Sequence, residues 1–453
     1  MTSRRRASQL LAAGCLATSG RARYSRDMSG IDRDTAFEMA VAAVRYGAGV
    51  TREVGMDLVD RGVQRVLIVT DPVVATLPPL KAVVDSLEAN SVKWVLYDRV
   101  RVEPTEQSWL DAIDFARGHT FDAIVGVGGG SSIDTAKAVN LYTTHPPTDF
   151  LDYVNKPIGQ GLPVPGPLKP LFAIPTTAGT GSETTGVAIF DLTRLHVKTG
   201  ISSRLLKPTL GLLDPDHTRT APAAVAASAG LDILCHAVES YTAIAFTDRP
   251  RPERPSVRPP YQGANPISDV WSLQAMRMVA THLVRAVKDP DDDEARASMV
   301  LAASFAGIGF GNAGVHLPHA MAYPVAGGVR DYRAPGYPSD HALVPHGFSV
   351  ILNAPAVFAF TGQGSPQRHL EAASALGADV SRCRDEDAGR VLADRVIWFM
   401  QRLNVPNGLR AVGYSSSDIP ALVEGTLAQE RLTKLSPRPI DAEQLVRIFE
   451  SAL

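Results

Sequence analysis

Between about residue 65 and residue 214, short apolar runs rich in β-branched residues alternate with stretches of helical periodicity. Strands that alternate with helices are typical of βαβ units, in which the strands run parallel. This part of the chain is therefore predicted to be an α/β domain built on a parallel sheet. The predicted strands are residues 66–70, 92–97, 123–127 and 171–174.

After Pro222 the pattern becomes helical, with few strand-like runs. Two stretches, 246–266 and 330–345, are rich in loop residues, and the density of proline in the first excludes a regular helix there. We therefore expect an α/β domain over residues 31–221 and an all-α domain over residues 222–453. The predicted helices are residues 223–245, 270–288, 293–310, 369–376 and 388–403.

Composition narrows the class of partner. The chain has 453 residues, and 45 Lys and Arg against 47 Asp and Glu leave a net charge of -2. No global basic field recruits nucleic acid or anionic lipid, so a small molecule is the expected partner. Three scattered cysteines without CxxC spacing argue against a disulfide framework and a cysteine metal site. No stretch approaches the ~18 apolar residues of a membrane span.

The N-terminus has a composition of its own. Its first 27 residues hold six arginines before the first acid, Asp27, with Ser, Ala and Leu between them. This is typical of a mitochondrial transit peptide, whereas a secretory signal needs an apolar core that Gly14 interrupts here. We expect residues 1–30 to be a disordered transit peptide and the protein to reach the mitochondrial matrix; a merely disordered basic tail is the alternative.

A glycine turn suggests a nucleotide site. Residues 122–137 read as a buried strand, the turn Gly128-Gly129-Gly130-Ser131 and a helix. Such a turn directs backbone N–H groups and a helix N-terminus at an anion, although a tight βα connection has the same appearance. The usual G-x-G-x-x-G is absent, because Ser131 stands at the third glycine position.

Two further polar positions follow predicted strands. Residues 175–183 supply hydroxyls and small residues suited to ribose and pyrophosphate oxygens, or they simply begin a helix. Asp71 is placed to hold ribose hydroxyls, or it is a turn residue before Pro72.

A second constellation suggests a metal. Asp232 and His236 are four residues apart in a helical stretch and share a face, as ligands or as a hydrogen-bonded pair. Histidines at 316, 319 and 346 offer further donors. One carboxylate with three imidazoles is an O/N set that suits Fe²⁺ or Zn²⁺.

Five motifs in order carry a family resemblance, namely GGGSSIDTAK, PTTAGTGSE, GLDILCHAVESY, HAMAYP and PHG. The chain resembles the iron-containing, or type III, alcohol dehydrogenases from about residue 40 onward. The resemblance implies a Rossmann-like dinucleotide-binding α/β domain followed by an all-α metal-binding domain, with NAD and a divalent metal meeting between them. It places the metal ligands at Asp232, His236, His319 and His346. It places cofactor contacts at Asp71, Gly128, Gly129, Gly130, Ser131, Asp134, Thr176, Thr177, Thr180, Ser182 and Lys198.

The ALVPHG loop, the GVHLPHAMAYP form and the Pro/Arg-rich stretch resemble a mitochondrial branch of that family. The resemblance implies oxidation of 4-hydroxybutyrate to succinate semialdehyde, coupled through tightly bound NAD to reduction of 2-oxoglutarate to D-2-hydroxyglutarate. One departure is Tyr323, which stands where many members have a proton-relay histidine. A phenol titrates near ~10, so relay through Tyr323 would need a lowered pKa or a chain of water molecules, and His316 or His341 is the alternative carrier.

Three alternative functions share part of these features. An NAD-dependent alcohol dehydrogenase that releases NADH has every motif, a non-haem iron oxygenase uses two histidines and a carboxylate, and a non-enzymatic NAD-binding scaffold needs only the loops. A homo-oligomer is left open. For acidic substrates we expect an arginine to bind the remote carboxylate. The expected candidates are Arg249, Arg251, Arg254, Arg258, Arg330 and Arg333.

Overall fold

The structure is a computed structural model that describes residues 32–195, 197–337 and 341–453. The expected transit peptide, residues 1–30, lies outside the described residues. In the described part, six parallel strands form one sheet in the order β1–β8–β5–β4–β2–β3, and β6 and β7 pair as an antiparallel hairpin. The strands are β1 (Ala43–Tyr46), β2 (Arg65–Val69), β3 (Lys93–Tyr97), β4 (Ala123–Gly128), β5 (Leu171–Pro175), β6 (Val187–Leu192), β7 (Val197–Ser202) and β8 (Leu210–Leu213).

The central strands β2, β4, β5 and β8 are buried on both faces of the sheet, which explains why they are apolar. Along β2, Val66 and Ile68 belong to one hydrophobic cluster, while Leu67 and Val69 belong to another. Successive side chains of a strand point to opposite faces, so a strand covered on both sides is apolar throughout. The predicted α/β fold is confirmed, and each of the four predicted strands ends within one residue of its observed bounds.

Helices cover the sheet and form the second half of the chain. The helix α6 begins where Pro266 takes the first turn and Asn265 caps the N–H of Ser268. The helices are α1 (Val54–Asp60), α2 (Pro78–Ala89), α3 (Glu106–Arg117), α4 (Gly130–Thr144), α5 (Ala223–Thr242), α6 (Pro266–Lys288), α7 (Asp293–Ala313), α8 (Leu317–Gly327), α9 (His346–Ile351), α10 (Ala354–Thr361), α11 (Pro366–Ala375), α12 (Ala388–Arg402), α13 (Ile419–Leu427), α14 (Glu430–Thr433) and α15 (Ala442–Ala452).

Short 3-10 turns occupy several connections, including two inside the Pro/Arg-rich stretch. They are Val50–Glu53, Val74–Thr76, Thr193–Leu195, Arg204–Leu206, Pro215–Thr218, Phe246–Asp248, Pro255–Val257, Asp385–Asp387, Leu409–Val412 and Ser416–Asp418.

Helix α5 is long and apolar enough to cross a membrane, with a mean hydropathy of 1.2 over its most apolar window. The expectation that no stretch has such a composition is therefore wrong for α5. However, 72% of that window is buried inside the protein, where α5 packs against α6, α7 and α9. Helices α7 and α8 have the length and composition of a membrane-spanning helix only when they are taken together, and a bend of 103° separates them. Core helices share this composition.

The sheet order places a crevice at one edge. From β2 the chain crosses to β3 on one side, and β4 then pairs with β2 on the other side. The carboxyl ends of β2 and β4 therefore flank a topological switch point, where open α/β sheets bind ligands. Asp71 follows β2 and Gly129 follows β4 at this point.

The first described residues lie along the helical half as a strap, residues 33–40. Asp34 accepts hydrogen bonds from Arg249 and Arg258, at 3.1 and 3.0 Å. Farther along, the Glu38 N–H donates to Gln262 at 2.8 Å, and the Ala40 N–H donates to the Asn312 side chain at 2.9 Å. The strap is thus held by residues from the helical half.

Glu183 provides a test of the fold through pH. Its side chain is buried after β5, and burial raises its pKa to about 7, from 4.5. Because the folded value is the higher one, the stability contribution is present below pH 4.5 and is lost as the pH rises through 7. A shift of this size corresponds to about 3 kcal/mol.

We therefore expect Glu183→Gln to raise the free energy of unfolding at pH 8 by about 3 kcal/mol, and by much less at pH 5. Urea unfolding at the two pH values measures the difference. The exposed Glu88→Gln on α2 is the matched control. An equal effect of Glu183→Gln at both pH values would contradict a raised pKa of Glu183 in the folded protein.

Candidate metal centre and nucleotide cleft

Four predicted ligands converge in the helical half. Asp232 and His236 lie on α5, His319 on α8, and His346 begins α9. One donor atom from each lies within 4.8 Å of the others. The Asp232 carboxylate is 3.7 Å from His236 Nδ1, 3.5 Å from His319 Nε2 and 3.8 Å from His346 Nε2.

These atoms fit a cation better than they fit one another. Within the described residues, Asp232 Oδ1, His236 Nδ1 and His319 Nε2 are buried and lack a hydrogen-bond partner. The 3.7 Å between Asp232 and His236 is too long for the alternative of a hydrogen-bonded pair. Buried polar atoms without partners are costly, and one ion between them would satisfy all of them. One oxygen and three nitrogens suit Fe²⁺ or Zn²⁺.

Burial sets most of the charges in this cluster. It lowers the pKa of His236 to about 3 and also lowers that of His346, so both rings are neutral with a lone pair available. Burial acts in the same direction on His319, but the nearby Glu239 and Asp232 outweigh it and raise the pKa of His319 to about 10. To hold a divalent metal through Nε2, His319 would therefore have to lose that proton.

Glu239 orients one ligand from behind. The His319 Nδ1–H donates to Glu239 Oε1 at 2.6 Å, which turns Nε2 towards Asp232. The other carboxylate oxygen accepts the His316 backbone N–H, also at 2.6 Å. Sequence reasoning missed Glu239, although it lies three residues after His236 and seven after Asp232, on the same face of α5.

Two glycines allow the ligand-bearing helices to approach. A Cβ at Gly347 would lie 1.9 Å from the Ser228 carbonyl oxygen, so α9 packs directly on α5 and carries His346 inward. Gly314 has a φ of +96° at the corner between α7 and α8. That left-handed region favours glycine, and the corner brings His319 back over α5.

The cluster opens into one cleft of about 310 Å³ that reaches the carboxyl edge of the sheet. All but one of the predicted cofactor residues line it. Gly128 does not, because it lies beneath the turn, where a Cβ would meet Ser132 Oγ at 2.4 Å. The predicted residues in the cleft wall are Asp71, Gly129, Gly130, Ser131, Asp134, Thr176, Thr177, Thr180, Ser182 and Lys198.

The start of α4 is suited to a phosphate. Gly129 occupies the N-cap and no side chain caps the helix. A Cβ at Gly130 would lie 2.7 Å from the Thr180 side chain, so the absence of one lets the two loops approach. Uncapped amides at a helix N-terminus bind anions.

Two predicted carboxylates have structural partners as well as a place in the cleft wall. Asp71 accepts the backbone N–H groups of Val73 and Val74, both at 3.0 Å, which confirms the interpretation of Asp71 as a turn residue. Asp134 accepts the Ser182 hydroxyl at 2.5 Å and the Ile189 N–H at 3.0 Å. It thereby joins α4 to the loop after β5 and to β6.

Lys198 lies in the cleft wall between two carboxylates. Its ammonium is 2.5 Å from Glu103 and 2.8 Å from Asp191. Although burial favours neutral lysine, these charges outweigh it and raise the pKa of Lys198. Glu103, which sequence reasoning missed, also accepts the His346 backbone N–H and so links the sheet to the metal cluster.

The three predicted proton carriers lie in different environments. Tyr323 lines the cleft, and its hydroxyl accepts a hydrogen bond from Arg431 at 2.8 Å. His316 is fully buried, with Nε2 2.9 Å from the Thr242 hydroxyl, and it is not part of the cleft wall. The structure therefore does not bring His316 to the reaction space, nor does it place His341 there.

The expected arginine clamp is not where the sequence suggested. None of the six loop arginines lines the cleft in the described residues. Arg249 and Arg258 bind Asp34 of the strap, and Arg330 pairs with Asp418 at 2.7 Å. For these three arginines the prediction is wrong because acidic residues that are distant in sequence hold them away from the cleft.

Comparisons agree with this architecture. The family described as "Iron-containing alcohol dehydrogenase" matches residues 42–215, and the "Fe-containing alcohol dehydrogenase family, C-terminal" matches residues 261–453. The solved structure of a 1,3-propanediol oxidoreductase superposes with a TM-score of 0.80 at 27% identity, covering 92% of this chain and 100% of that one.

Two relatives share the name "Hydroxyacid-oxoacid transhydrogenase, mitochondrial". The one from Bos taurus is 58% identical, over 94% of this chain and 91% of its own length. The one from Homo sapiens is 56% identical, over 98% of this chain and 96% of its own length. Their names confirm the expected mitochondrial location.

We expect His346→Ala to lose metal and turnover together while keeping the fold, because His346 supplies a donor atom to the cluster and its side chain, 25% exposed, is the least buried of the four predicted ligands. Metal content by mass spectrometry and far-UV circular dichroism measure the two effects. The exposed His119→Ala is the control. A full complement of metal in His346→Ala would exclude His346 as an essential ligand.

Glu239→Gln should lower metal affinity by about 10–100-fold, since the amide orients His319 without the negative charge. Competition with a chelator measures the dissociation constant. An unchanged affinity would show that Glu239 only holds the corner between α7 and α8.

Proposed function

This chain belongs to the iron-containing alcohol dehydrogenase family, and from that premise we propose that it transfers hydride from a small hydroxy acid to a small oxo acid through NAD held in the cleft. The chain is an oxidoreductase that acts on CH–OH groups. Family membership implies NAD and a divalent metal.

The identity to the named transhydrogenases, 56–58% over more than nine tenths of the chain, is the observation that carries the proposal. We propose 4-hydroxybutyrate and 2-oxoglutarate as the substrates. Succinate semialdehyde and D-2-hydroxyglutarate are then the products.

Asp232, His236, His319 and His346 are the proposed metal ligands, with Fe²⁺ as the proposed ion. Their single oxygen and three nitrogens support this assignment, and Zn²⁺ fits the same donors. When bound, the ion supplies Lewis acidity toward the substrate hydroxyl, and NAD supplies the hydride acceptor. The chain's own residues orient the ligands, bind the nucleotide and hold the two close together.

We assign the nucleotide to the part of the chain up to residue 221 and the metal to the part from residue 222. The uncapped start of α4 would hold the pyrophosphate, and Asp71 at the switch point would hold ribose hydroxyls. Thr176, Thr180 and Ser182 would add hydroxyl contacts from the loop after β5. Lys198 is paired with Glu103 and Asp191, so its role would be to shape the wall rather than to supply a free cation.

The overall proton balance is simple. Oxidation of the hydroxy acid releases one proton with the hydride, and reduction of the oxo acid consumes one. A full cycle, in which the two substrates occupy the cleft one after the other, therefore has no net exchange of protons with solvent. Relay through Tyr323 remains a prediction, while the buried position of His316 removes the support for relay through that residue.

Two alternatives from other classes are excluded by the family assignment, namely the oxygenase and the non-enzymatic scaffold. The dehydrogenase that releases NADH shares the same site, so only the fate of the hydride separates it from the proposal.

We expect purified protein without added NAD to transfer deuterium from 4-hydroxy-[4-²H₂]butyrate to C2 of 2-hydroxyglutarate, with equal amounts of both products. Mass spectrometry measures the label. Excess unlabelled NADH in solution should not dilute it, because the bound cofactor is reused. Dilution of the label, with NADH accumulating when hydroxy acid and free NAD⁺ are supplied alone, would instead establish the releasing dehydrogenase.

A further inference from the structure

A partly buried arginine lies directly behind two residues of the cleft wall. Arg431 on α14 donates to the Tyr323 hydroxyl at 2.8 Å and also hydrogen-bonds Tyr261. Its guanidinium carbon lies 5.7 Å from the centre of the Tyr261 ring and 5.8 Å from that of Tyr323. Both tyrosines line the cleft. Within residues 32–195, 197–337 and 341–453, no carboxylate forms an ion pair with this cation.

This group lies at the metal end of the cleft. Tyr323 is four residues after His319 on α8, so the two share a face and are about 6 Å apart along the axis. Phe310, whose ring stacks on His236 at 3.9 Å, packs in one small apolar cluster with Tyr323 and Tyr261. Tyr261 lies in the Pro/Arg-rich stretch, residues 246–266, and fits against Gly314, where a Cβ would lie 2.9 Å from it.

The hydrogen-bond directions make this group a donor site. A guanidinium only donates, so each phenol oxygen that it contacts accepts, and the phenol's own hydrogen points elsewhere. In the part of the chain that the structure describes, neither tyrosine hydroxyl donates a hydrogen bond to another protein atom. Burial raises the pKa of Tyr261 to about 12, so this phenol stays protonated at neutral pH. Two O–H donors backed by a cation suit an anion.

We propose that Arg431, Tyr261 and Tyr323 form the subsite for the substrate carboxylate remote from the reacting carbon. This inference rests on the proposed function, because only acidic substrates need it. In 4-hydroxybutyrate, three C–C bonds separate the reacting carbon from the carboxyl carbon. The same number separates the keto carbon of 2-oxoglutarate from its distal carboxyl carbon. At about 1.5 Å a bond, that spacing is comparable with one turn of α8.

One subsite therefore serves both half-reactions. The hydroxy acid and the oxo acid place their reacting carbons at the same point when their remote carboxylates bind the same donors. In this assignment Tyr323 binds the substrate carboxylate. The tyrosine at a position where many family members have a histidine would then determine substrate specificity.

Single-turnover reduction of the bound NAD tests the assignment on the holoenzyme. Nicotinamide fluorescence reports the rate at increasing concentrations of 4-hydroxybutyrate, or of 1-butanol as a neutral alcohol. We expect Arg431→Met to raise the half-saturating concentration of 4-hydroxybutyrate by about 10- to 100-fold and to change that of 1-butanol by less than about threefold. The limiting rate should change little. Reoxidation by 2-oxoglutarate should show the same loss of affinity.

Two further variants keep the test decisive. Arg447→Met on α15 removes an arginine whose side chain is 72% exposed, and it should leave every constant unchanged. Tyr261→Phe removes one hydrogen-bond donor while keeping the ring that packs on Gly314. It should raise the half-saturating concentration of 4-hydroxybutyrate by about 3- to 10-fold and leave that of 1-butanol unchanged. This variant decides the question if Arg431→Met does not fold.

The outcomes separate the subsite from the function. If 4-hydroxybutyrate fails to reduce NAD in the unmodified protein, the proposed function is wrong. If it succeeds and neither Arg431→Met nor Tyr261→Phe changes its half-saturation, the subsite is overturned while the function stands. An equal loss for 1-butanol and 4-hydroxybutyrate would also overturn the subsite, since Arg431 would then act on the cofactor or on the fold.

Discussion

Asp232 is a carboxylate in the middle of an apolar core helix, 2% exposed, and its charge has to be compensated there. An isolated buried carboxylate is very costly, so the site needs a cation and the further residues that would hold it. Only His236 comes from the same helix. His319 and His346 arrive from α8 and α9, and each needs a glycine-dependent approach or a left-handed corner to do so. The corner between α7 and α8 and the close contact of α9 with α5 therefore both serve this one charge.

Glu239 and Glu103 extend that requirement in opposite directions. Glu239 orients His319 and fixes the corner between α7 and α8. Glu103 lies in the loop after β3, pairs with Lys198 and accepts the backbone N–H of His346. The cleft wall and the metal cluster thus share a polar network, so the nucleotide end and the metal end are held in a fixed relation.

Sequence patterns predicted the parts of this structure that depend on local chemistry. The strands β2, β3, β4 and β5 have apolar runs long enough to recognise, and the ligand set stood in recognisable motifs. The four-residue strands β1 and β8 carry too few positions to show a period. The pairing of the loop arginines depends on Asp34 and Asp418, which are distant in sequence, so their number and position gave no information about it. Tyr261 and Arg431 are 170 residues apart in sequence, so no local sequence pattern predicts their contact.

The strap at residues 33–40 has a consequence for the order in which the molecule is assembled. Its partners follow it by 215 residues at Arg249, 224 at Gln262 and 272 at Asn312. Contacts of such high sequence separation carry the entropy of closing a long loop, and they form only after the distant segment has folded. In a chain delivered N-terminus first, the strap therefore stays without these partners until residues 249–312 have followed it. The part of the described chain that emerges first is among the last to find its place.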